Sequence, residues 1–124
     1  CCNKHLMRET LGMDNPFNVP FMVCKTLAEA KNADFYPLMI KPVDSQGQRG
    51  IFKAENFEEL SRHFDCAMDY SRCGKVILEK HISGSEVSVN AYVKDGEIIF
   101  SMLSDRESFR NLPGGRNYAS KRKD

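Results

Sequence analysis

The chain is organised around residues 36–50, which read Tyr36-Pro37-Leu38-Met39-Ile40-Lys41-Pro42-Val43-Asp44-Ser45-Gln46-Gly47-Gln48-Arg49-Gly50. An apolar strand reaches a lysine here, and a loop with glycine and arginine follows. Glycine permits positive φ and brings backbone N–H groups close to an anion, while a lysine on a strand holds an ammonium group beside them. The stretch therefore predicts a polyphosphate-binding loop. It is not a Walker A motif, because the lysine precedes the glycines.

Size and composition indicate one domain or part of one. A chain of 124 residues has room for one modest core, and 41% hydrophobic and 28% charged residues are ordinary for a globular protein. A net charge of +1 argues against nucleic acid as the main partner. The one dense basic run, Lys121-Arg122-Lys123, lies at the extreme end, where a solvated tail is the favoured interpretation.

Cysteine usage and hydropathy favour a cytoplasmic protein with no membrane partner. The five cysteines include no Cys-x-x-Cys pair, so neither a disulfide framework nor a zinc site is predicted. The apolar runs are much shorter than the roughly 18–20 residues that cross a bilayer, and no signal-peptide pattern is present. The chain opens on Cys1 and directly in a helical pattern, which indicates an excised fragment.

Local patterns predict an alternation of helices and strands. Helices are expected over residues 4–11, from Thr26 to about Asn32, and from Asn56 toward the break at Cys73-Gly74, with capping signals at their ends. Strands are expected over residues 21–24, 36–43, 50–53, 75–82, 85–93 and 97–103.

This order predicts the α+β class, as a small antiparallel sheet with helices on one face. We expect the last three strands to form a meander, with a tight turn at Asp95-Gly96. Alternation places Glu86, Ser88 and Asn90 on one polar face. From about Ser104 onward the pattern breaks, and a mobile tail is expected.

Three segments, in this order and spacing, carry a resemblance to a known family. They are Asn3-Lys4 at a helix start, the stretch from Tyr36 to Pro42 with its glycine loop, and Val76 to Ile82 followed by Gly84 to Val89. With them the chain resembles the ATP-grasp superfamily, in the branch of biotin carboxylase, the carbamoyl-phosphate synthase large subunit and related carboxylate-amine ligases.

The resemblance extends from about Asn3 to Asp105 and covers only the first part of an ATP-grasp core. It implies an entering helix and linker over residues 1–20 and a small nucleotide-gripping subdomain over residues 21–104. Residues 105–124 would then be a mobile tail or the start of the next subdomain.

The resemblance implies that ATP phosphates contact two lysines and a lid. Lys4 would lie near the phosphates, and Lys41 would bridge the α- and β-phosphates. The lid residues with a predicted nucleotide contact are Ser45, Gln46, Gly47, Arg49 and Gly50. Permanently cationic donors suit phosphate oxygens, particularly inside a closed loop. From the residues alone, Lys4 reads as a solvated helix residue, and Arg49 reads equally well as an ordinary loop arginine.

The adenosine contacts are likewise implied by the resemblance. Glu79 would hold the adenine amino group, and backbone groups of Lys80 and Ile82 would pair with the base edge. Glu86 would take the ribose hydroxyls, because a carboxylate can accept from both at once. From composition alone, Glu79 and Lys80 could equally form a surface ion pair worth about 0–1 kcal/mol.

The implied cofactors are ATP and Mg²⁺, and the implied partners are a nucleotide and, in the parent protein, a small carboxylate substrate. The function implied is that of the ATP-binding fragment of a ligase that activates a carboxylate or bicarbonate as an acyl phosphate for attack by an amine or another nucleophile. No catalytic residue or metal ligand is assigned to this chain, since the metal-binding half of the family core is missing from it.

We therefore expect the isolated chain to bind ATP or ADP weakly and to turn over nothing, although its parent would be an enzyme. Asn3 departs from the aspartate that relatives commonly carry before the first lysine. Two alternatives stay open, a non-catalytic nucleotide sensor or scaffold and an α+β domain with an incidental glycine-rich turn. The oligomeric state is not predicted.

Overall fold

The computed structural model of the protein describes residues 3–108 and 117–122. The chain divides into two compact units, Cys1–Ile82 and Ser83–Asp124. Each unit contains its own antiparallel sheet.

The first unit combines helices with a four-stranded sheet. Its elements are α1 (Lys4–Leu11), β1 (Phe21–Cys24), α2 (Leu27–Ala30), β2 (Leu38–Pro42), β3 (Phe52–Ala54), α3 (Phe57–Asp69) and β4 (Val76–Lys80). The strand order is β1-β4-β2-β3, so the last strand of the unit lies between the first two. Phe21 of β1 and Met39 of β2 therefore both lie opposite Glu79 of β4.

The hydrophobic core lies on the sheet face that α2 and α3 cover. In β2, Leu38, Ile40 and Pro42 are buried, whereas Met39 and Lys41 are half-buried on the other face. This is the period-2 alternation of a strand with one apolar face. The buried cluster comprises Cys24, Ala30, Ala33, Leu38, Ile40, Ala54, Leu60, Phe64, Ala67, Val76 and Leu78.

Side-chain caps fix the starts of the helices. The Asn56 side chain accepts a hydrogen bond from the Glu59 N–H at 3.0 Å, and Thr26 accepts one from Glu29 at 3.3 Å. Each glutamate also reaches back, since Glu59 accepts from the N–H of Glu55 and Glu29 accepts from that of Lys25, each at 2.8 Å. The bonds to Asn56 and Thr26 satisfy backbone donors that the first turn of a helix leaves unpaired, and the glutamates fasten the residue before each cap.

The second unit is a three-stranded sheet in the order β5-β6-β7. Its strands are β5 (Val87–Lys94), β6 (Glu97–Ser108) and β7 (Asn117–Arg122). Asp95 and Gly96 connect β5 to β6, with φ values of 52° and 83°. Positive φ at both positions is the geometry of a type I′ hairpin turn.

The predicted fold class is confirmed, since small antiparallel sheets are present and α2 and α3 pack on one sheet face. The prediction that strands 75–82, 85–93 and 97–103 form one meander is wrong. The strand that follows α3 pairs with β1 and β2, whereas β5 pairs with β6 in a separate sheet. Adjacency in sequence does not decide which strands pair here. β4 buries its apolar residues more completely between two strands than it would at the edge of a sheet.

Two local predictions are also corrected. β3 begins at Phe52 instead of Gly50, because Gly50 has a φ of 67°, outside the extended region. Residues 105–108 and 117–122 are paired strand residues in place of the expected tail, since the ladder between β6 and β7 supplies the backbone with partners. Residues 109–116 lie outside the described part. The domain boundaries, and a further subdomain starting at residue 105, stay predictions.

Among residues 3–108 and 117–122, no helix combines the length and apolar character that a bilayer span requires. The longest, α3, has 13 residues.

Replacing Leu60 by alanine tests the packing of α3 on the sheet. Leu60 is fully buried, so Leu60→Ala should lower the free energy of unfolding by about 2–5 kcal/mol through lost burial and a residual cavity. Leu6→Ala is the matched control, because Leu6 is 59% exposed on α1 and its loss should change stability by only about 0.5 kcal/mol. Urea unfolding measures both, and similar losses for the two variants would contradict the assigned core.

Candidate functional site

A buried carboxylate, Glu79, lies on the face of the first sheet opposite the hydrophobic core. This face also carries Lys41 and is the charged face of the sheet. The Glu79 side chain is 4% exposed and follows the three apolar residues that begin β4. Leu78 and Val76 of the same strand belong to the hydrophobic core, so alternation directs Glu79 to the opposite face. A buried carboxylate requires cationic or hydrogen-bonding partners.

Two cations from different elements supply them. Arg8 of α1 donates from Nε to Oε1 of Glu79 at 2.8 Å, and the Lys41 ammonium of β2 donates to Oε2. Burial acts to raise the pKa of the Glu79 carboxyl, but the Arg8 hydrogen bond and the Lys41 charge outweigh burial and hold that pKa below its ordinary value. Glu79 is therefore an ionised acceptor at neutral pH.

Lys4 brings a second ammonium group to the same region. Its Nζ donates to the carbonyl oxygens of Pro42 at 2.9 Å and Ser45 at 2.7 Å, and its backbone N–H donates to Val43 at 3.0 Å. Burial, and next the charge of Lys41, lower the pKa of Lys4. The first turn of α1 is thus fastened to the segment that follows β2, and the two lysines lie close together.

Asn18 holds the other end of the entering segment. Its Oδ1 accepts from Nη1 of Arg8 at 3.1 Å, and its Nδ2 donates to the carbonyl oxygens of Arg8 and Gly12, each at 3.0 Å. The guanidinium group of Arg8 is therefore fixed between Glu79 and Asn18.

The glycine loop after β2 is anchored at both ends on the turn that follows α3. At its start, the Asp44 carboxylate accepts from the Ser71 hydroxyl and from the N–H groups of Arg72 and Cys73, each at 3.0 Å. Burial acts to raise the pKa of Asp44, but these hydrogen bonds prevail and lower it. At its end, Gly50 lies against the ring of Tyr70.

Between the anchors, the chain turns through positive φ at Gly47, at 73°, and at Gln48, at 59°. Gln46, Gly47 and Arg49 are exposed, and Ser45 is half-buried. The predicted lid residues thus form an exposed tip on a fixed base, and their contact with phosphate stays a prediction.

At the end of β4, the backbone hydrogen bonds to the neighbouring segments run in one direction only. The N–H of Lys80 donates to Pro20 and that of His81 donates to Pro37, each at 2.9 Å. Proline has no N–H, so Pro20 cannot donate a hydrogen bond to the Lys80 carbonyl group, and Pro37 cannot donate one to the His81 carbonyl group. Lys80 and Ile82 follow Glu79 at this edge, and Ile82 is exposed.

The alternative of a surface ion pair between Glu79 and Lys80 is wrong. Glu79 is buried and pairs with Arg8 and Lys41, and the Lys80 ammonium donates instead to the carbonyl oxygen of Tyr36. Alternation explains this result, because adjacent strand residues point to opposite faces.

Glu86 belongs to the second unit, where it is exposed and directly precedes β5. Its predicted contact with the ribose stays a prediction. Within the residues that the structure describes, no group of three or more His, Cys, Asp or Glu side chains is arranged to hold a metal ion.

Sequence reasoning missed Arg8, Asn18 and Asp44. The spacing of Lys4 and Arg8 offered one signal, since residues one helical turn apart share a helix face. Asn18 and Asp44 act through contacts with distant segments, and we find no comparable local signal for them.

The sequence model described as "D-ala D-ala ligase C-terminus" matches residues 18–108. The chain belongs to this family. The D-Ala-D-Ala ligase C-terminal family is a member of the ATP-grasp superfamily, so the superfamily predicted from the sequence is confirmed.

Individual relatives agree with this assignment. A D-alanine–D-alanine ligase of Bacillus velezensis is 35% identical over 60 residues, which are 48% of this chain and 16% of that protein. A protein of Aspergillus fumigatus described as an ATP-grasp enzyme is 32% identical over 71 residues, covering 56% of this chain and 12% of its own length.

The crystal structure of a D-Ala:D-Ser ligase from Enterococcus faecalis has the same fold, with a TM-score of 0.75 and 22% identity. The match covers 99% of this chain and 37% of that protein. The chain thus spans well under half the length of these relatives.

Gly50→Ala tests the closed end of the loop. A Cβ at Gly50 would lie 2.8 Å from Cδ2 of Tyr70, whereas a Cβ at Gly47 would meet no atom within 4 Å. Both glycines have positive φ, so both variants should lose about 1 kcal/mol of stability from backbone strain. Gly50→Ala should lose about 1–3 kcal/mol more from the collision. Equal losses in urea unfolding would show that Tyr70 does not limit this position.

The ionised state of Glu79 predicts acid sensitivity. Because its folded pKa lies below the ordinary 4.5, its contribution to stability is full above about pH 4.5 and is lost as the pH falls through the folded value. At pH 7, Glu79→Gln should cost up to about 3–5 kcal/mol, and this difference from the unmodified protein should shrink in acid.

The control for Glu79→Gln is Glu58→Gln, whose ion pair with Arg62 is exposed and worth at most about 1 kcal/mol. Unfolding measured between pH 3 and pH 7 checks both. A Glu79→Gln deficit that does not vary with pH would mean that the carboxylate charge is not the source of its effect.

Proposed function

We propose that this chain binds ATP as the nucleotide-gripping part of a ligase, in which ATP activates a carboxylate as an acyl phosphate and an amine then attacks it. The supporting observation is the convergence of Lys4, Lys41 and the base of the glycine loop around one ionised carboxylate. Two of the three relatives named above are a D-alanine–D-alanine ligase and a D-Ala:D-Ser ligase. We extend their chemistry to this protein and propose D-alanine as the carboxylate substrate.

The two lysines suit the phosphates of ATP. Lys4 now donates to two neutral carbonyl groups, and a phosphate oxygen is a stronger acceptor because the hydrogen bond is charge-assisted on both sides. Lys41 sits on the rigid β2 strand, beside the loop that would cover the phosphates. Burial and mutual repulsion already disfavour two adjacent cations here, so an anion between Lys4 and Lys41 would relieve that cost.

The end of β4 suits the edge of adenine. We propose that ionised Glu79 accepts a hydrogen bond from the adenine amino group. The Lys80 carbonyl, which Pro20 cannot serve, would accept a second one. The backbone of exposed Ile82 would complete the base contact, and Glu86 would bind the ribose hydroxyls.

The lid and the metal complete the proposal. Ser45, Gln46, Gly47, Arg49 and Gly50 would close over the triphosphate. Mg²⁺ would supply charge neutralisation on the phosphates when bound. The described residues contain no metal-binding cluster, and we assign no Mg²⁺ ligand to them.

Lys41→Ala tests the proposal through nucleotide affinity. Loss of a charge-assisted hydrogen bond to phosphate should weaken ATP binding by about 10–100-fold in isothermal titration calorimetry. The control is Lys31→Ala, because Lys31 is an exposed lysine at the end of α2, away from the charged face. Thermal unfolding verifies that each variant is folded.

Unchanged affinity in Lys41→Ala would reject the phosphate site and favour an incidental glycine-rich turn. Phosphate release from ATP in the full-length protein separates a ligase from a nucleotide sensor. Release that depends on added D-alanine is expected, and nucleotide binding without such release would favour the sensor.

A further inference from the structure

Arg8 is a partly buried charged residue to which the proposed nucleotide contacts give no role. It lies one helical turn after Lys4 on α1, and its Nε donates to Oε1 of Glu79 at 2.8 Å. The Arg8 side chain is 14% exposed and that of Glu79 is 4% exposed. An ion pair so removed from water persists only where the geometry compensates for lost hydration.

The guanidinium group is held in place independently of Glu79. Nη1 of Arg8 donates to Oδ1 of Asn18 at 3.1 Å, and Nδ2 of Asn18 donates back to the Arg8 carbonyl oxygen at 3.0 Å. A planar guanidinium fixed on two sides is a pre-oriented donor. Lys41, by contrast, reaches Glu79 through a single ammonium group on a flexible stem.

The two cations divide the Glu79 carboxylate between them, with Arg8 on Oε1 and Lys41 on Oε2. In the proposed nucleotide complex, Lys41 turns to the phosphates. Of the two cations, Arg8 is then the one left on Glu79. A buried carboxylate without a cation takes up a proton, and the protonated group presents a donor where an acceptor is needed.

We infer that Arg8 is a positioning residue that keeps Glu79 an ionised acceptor while Lys41 contacts phosphate, and that it thereby sets the preference for a 6-aminopurine over a 6-oxopurine. This inference rests on the proposed function. The amino group of adenine donates to an ionised carboxylate. The 6-oxo group of hypoxanthine is itself an acceptor, so it cannot form a hydrogen bond with that carboxylate. A site built around one hydrogen bond rejects an analogue that leaves a buried group unpaired.

The test compares ATP with inosine triphosphate, which differs from ATP at the 6-position, by isothermal titration calorimetry on the full chain. The unmodified protein should bind ATP more tightly. Arg8→Met keeps an apolar stem and removes the charge, and it should reduce the ratio of the two affinities by about tenfold or more. Arg8→Lys should retain most of the preference, because the charge remains.

A second readout follows the proton itself. In Arg8→Met, the binding of ATP should be accompanied by proton uptake, seen as a binding heat that varies with the ionisation enthalpy of the buffer. The unmodified protein should take up fewer protons when it binds ATP. Arg62→Met is the matched control, since Arg62 also pairs with a glutamate, Glu58, but on the exposed surface of α3. Neither the ratio nor the proton uptake should change in that control.

The double variant Arg8→Met/Glu79→Gln shows whether Arg8 acts through Glu79. With no carboxylate to ionise, Arg8→Met should have little further effect on the affinity ratio, so the two changes should be non-additive. Additive effects would overturn the inference. If Arg8→Met does not fold, the uncharged variant Arg8→Gln takes its place in the same measurements.

The outcomes separate this inference from the function on which it rests. An unmodified protein that binds neither nucleotide would reject both. An unmodified protein that prefers ATP, with an unchanged ratio in Arg8→Met, would overturn the role of Arg8 alone and leave the nucleotide site standing.

Discussion

The buried carboxylate of Glu79 is the constraint on which the rest of the first unit depends. A buried carboxylate on an interior strand of a sheet is tolerated only when cations reach it, and here they come from elements distant in sequence. Arg8 brings α1 to the sheet and Lys41 projects from β2. The ion pairs therefore position the entering helix as well as the charged face.

The two faces of the four-stranded sheet have separate tasks. The face that α2 and α3 cover is apolar and provides the packing that makes the strands rigid. The other face presents Lys41 and Glu79, with Lys4 and Arg8 of α1 beside them. Because the backbone that carries these charges is fixed, only side chains have to reorient when a ligand arrives, which lowers the entropic cost of binding. The glycine loop follows the same logic, because Asp44 and Gly50 fix its base and leave its tip exposed.

Family membership and local geometry address different questions. The match to the D-Ala-D-Ala ligase C-terminal family covers most of the chain, yet the chain covers only 37% of the D-Ala:D-Ser ligase that shares its fold. The charged face explains how a nucleotide could be held. The identity of the carboxylate depends on contacts that the charged face does not provide, and D-alanine is a proposal drawn from the relatives.

The sequence by itself determined the local features of this protein. The caps at Thr26 and Asn56, the alternation of β2 and the hairpin turn at Asp95-Gly96 all follow from periods and turn preferences that act over a few residues. The order of the motifs also pointed to the superfamily and to the pair of lysines.

Only the tertiary structure decided which distant residues meet. The insertion of β4 between β1 and β2, and the pairing of Arg8 with Glu79 across 71 residues, leave no local trace. Such contacts form when the free energy of the whole fold outweighs the entropy of closing long loops, and no short window of sequence contains that balance.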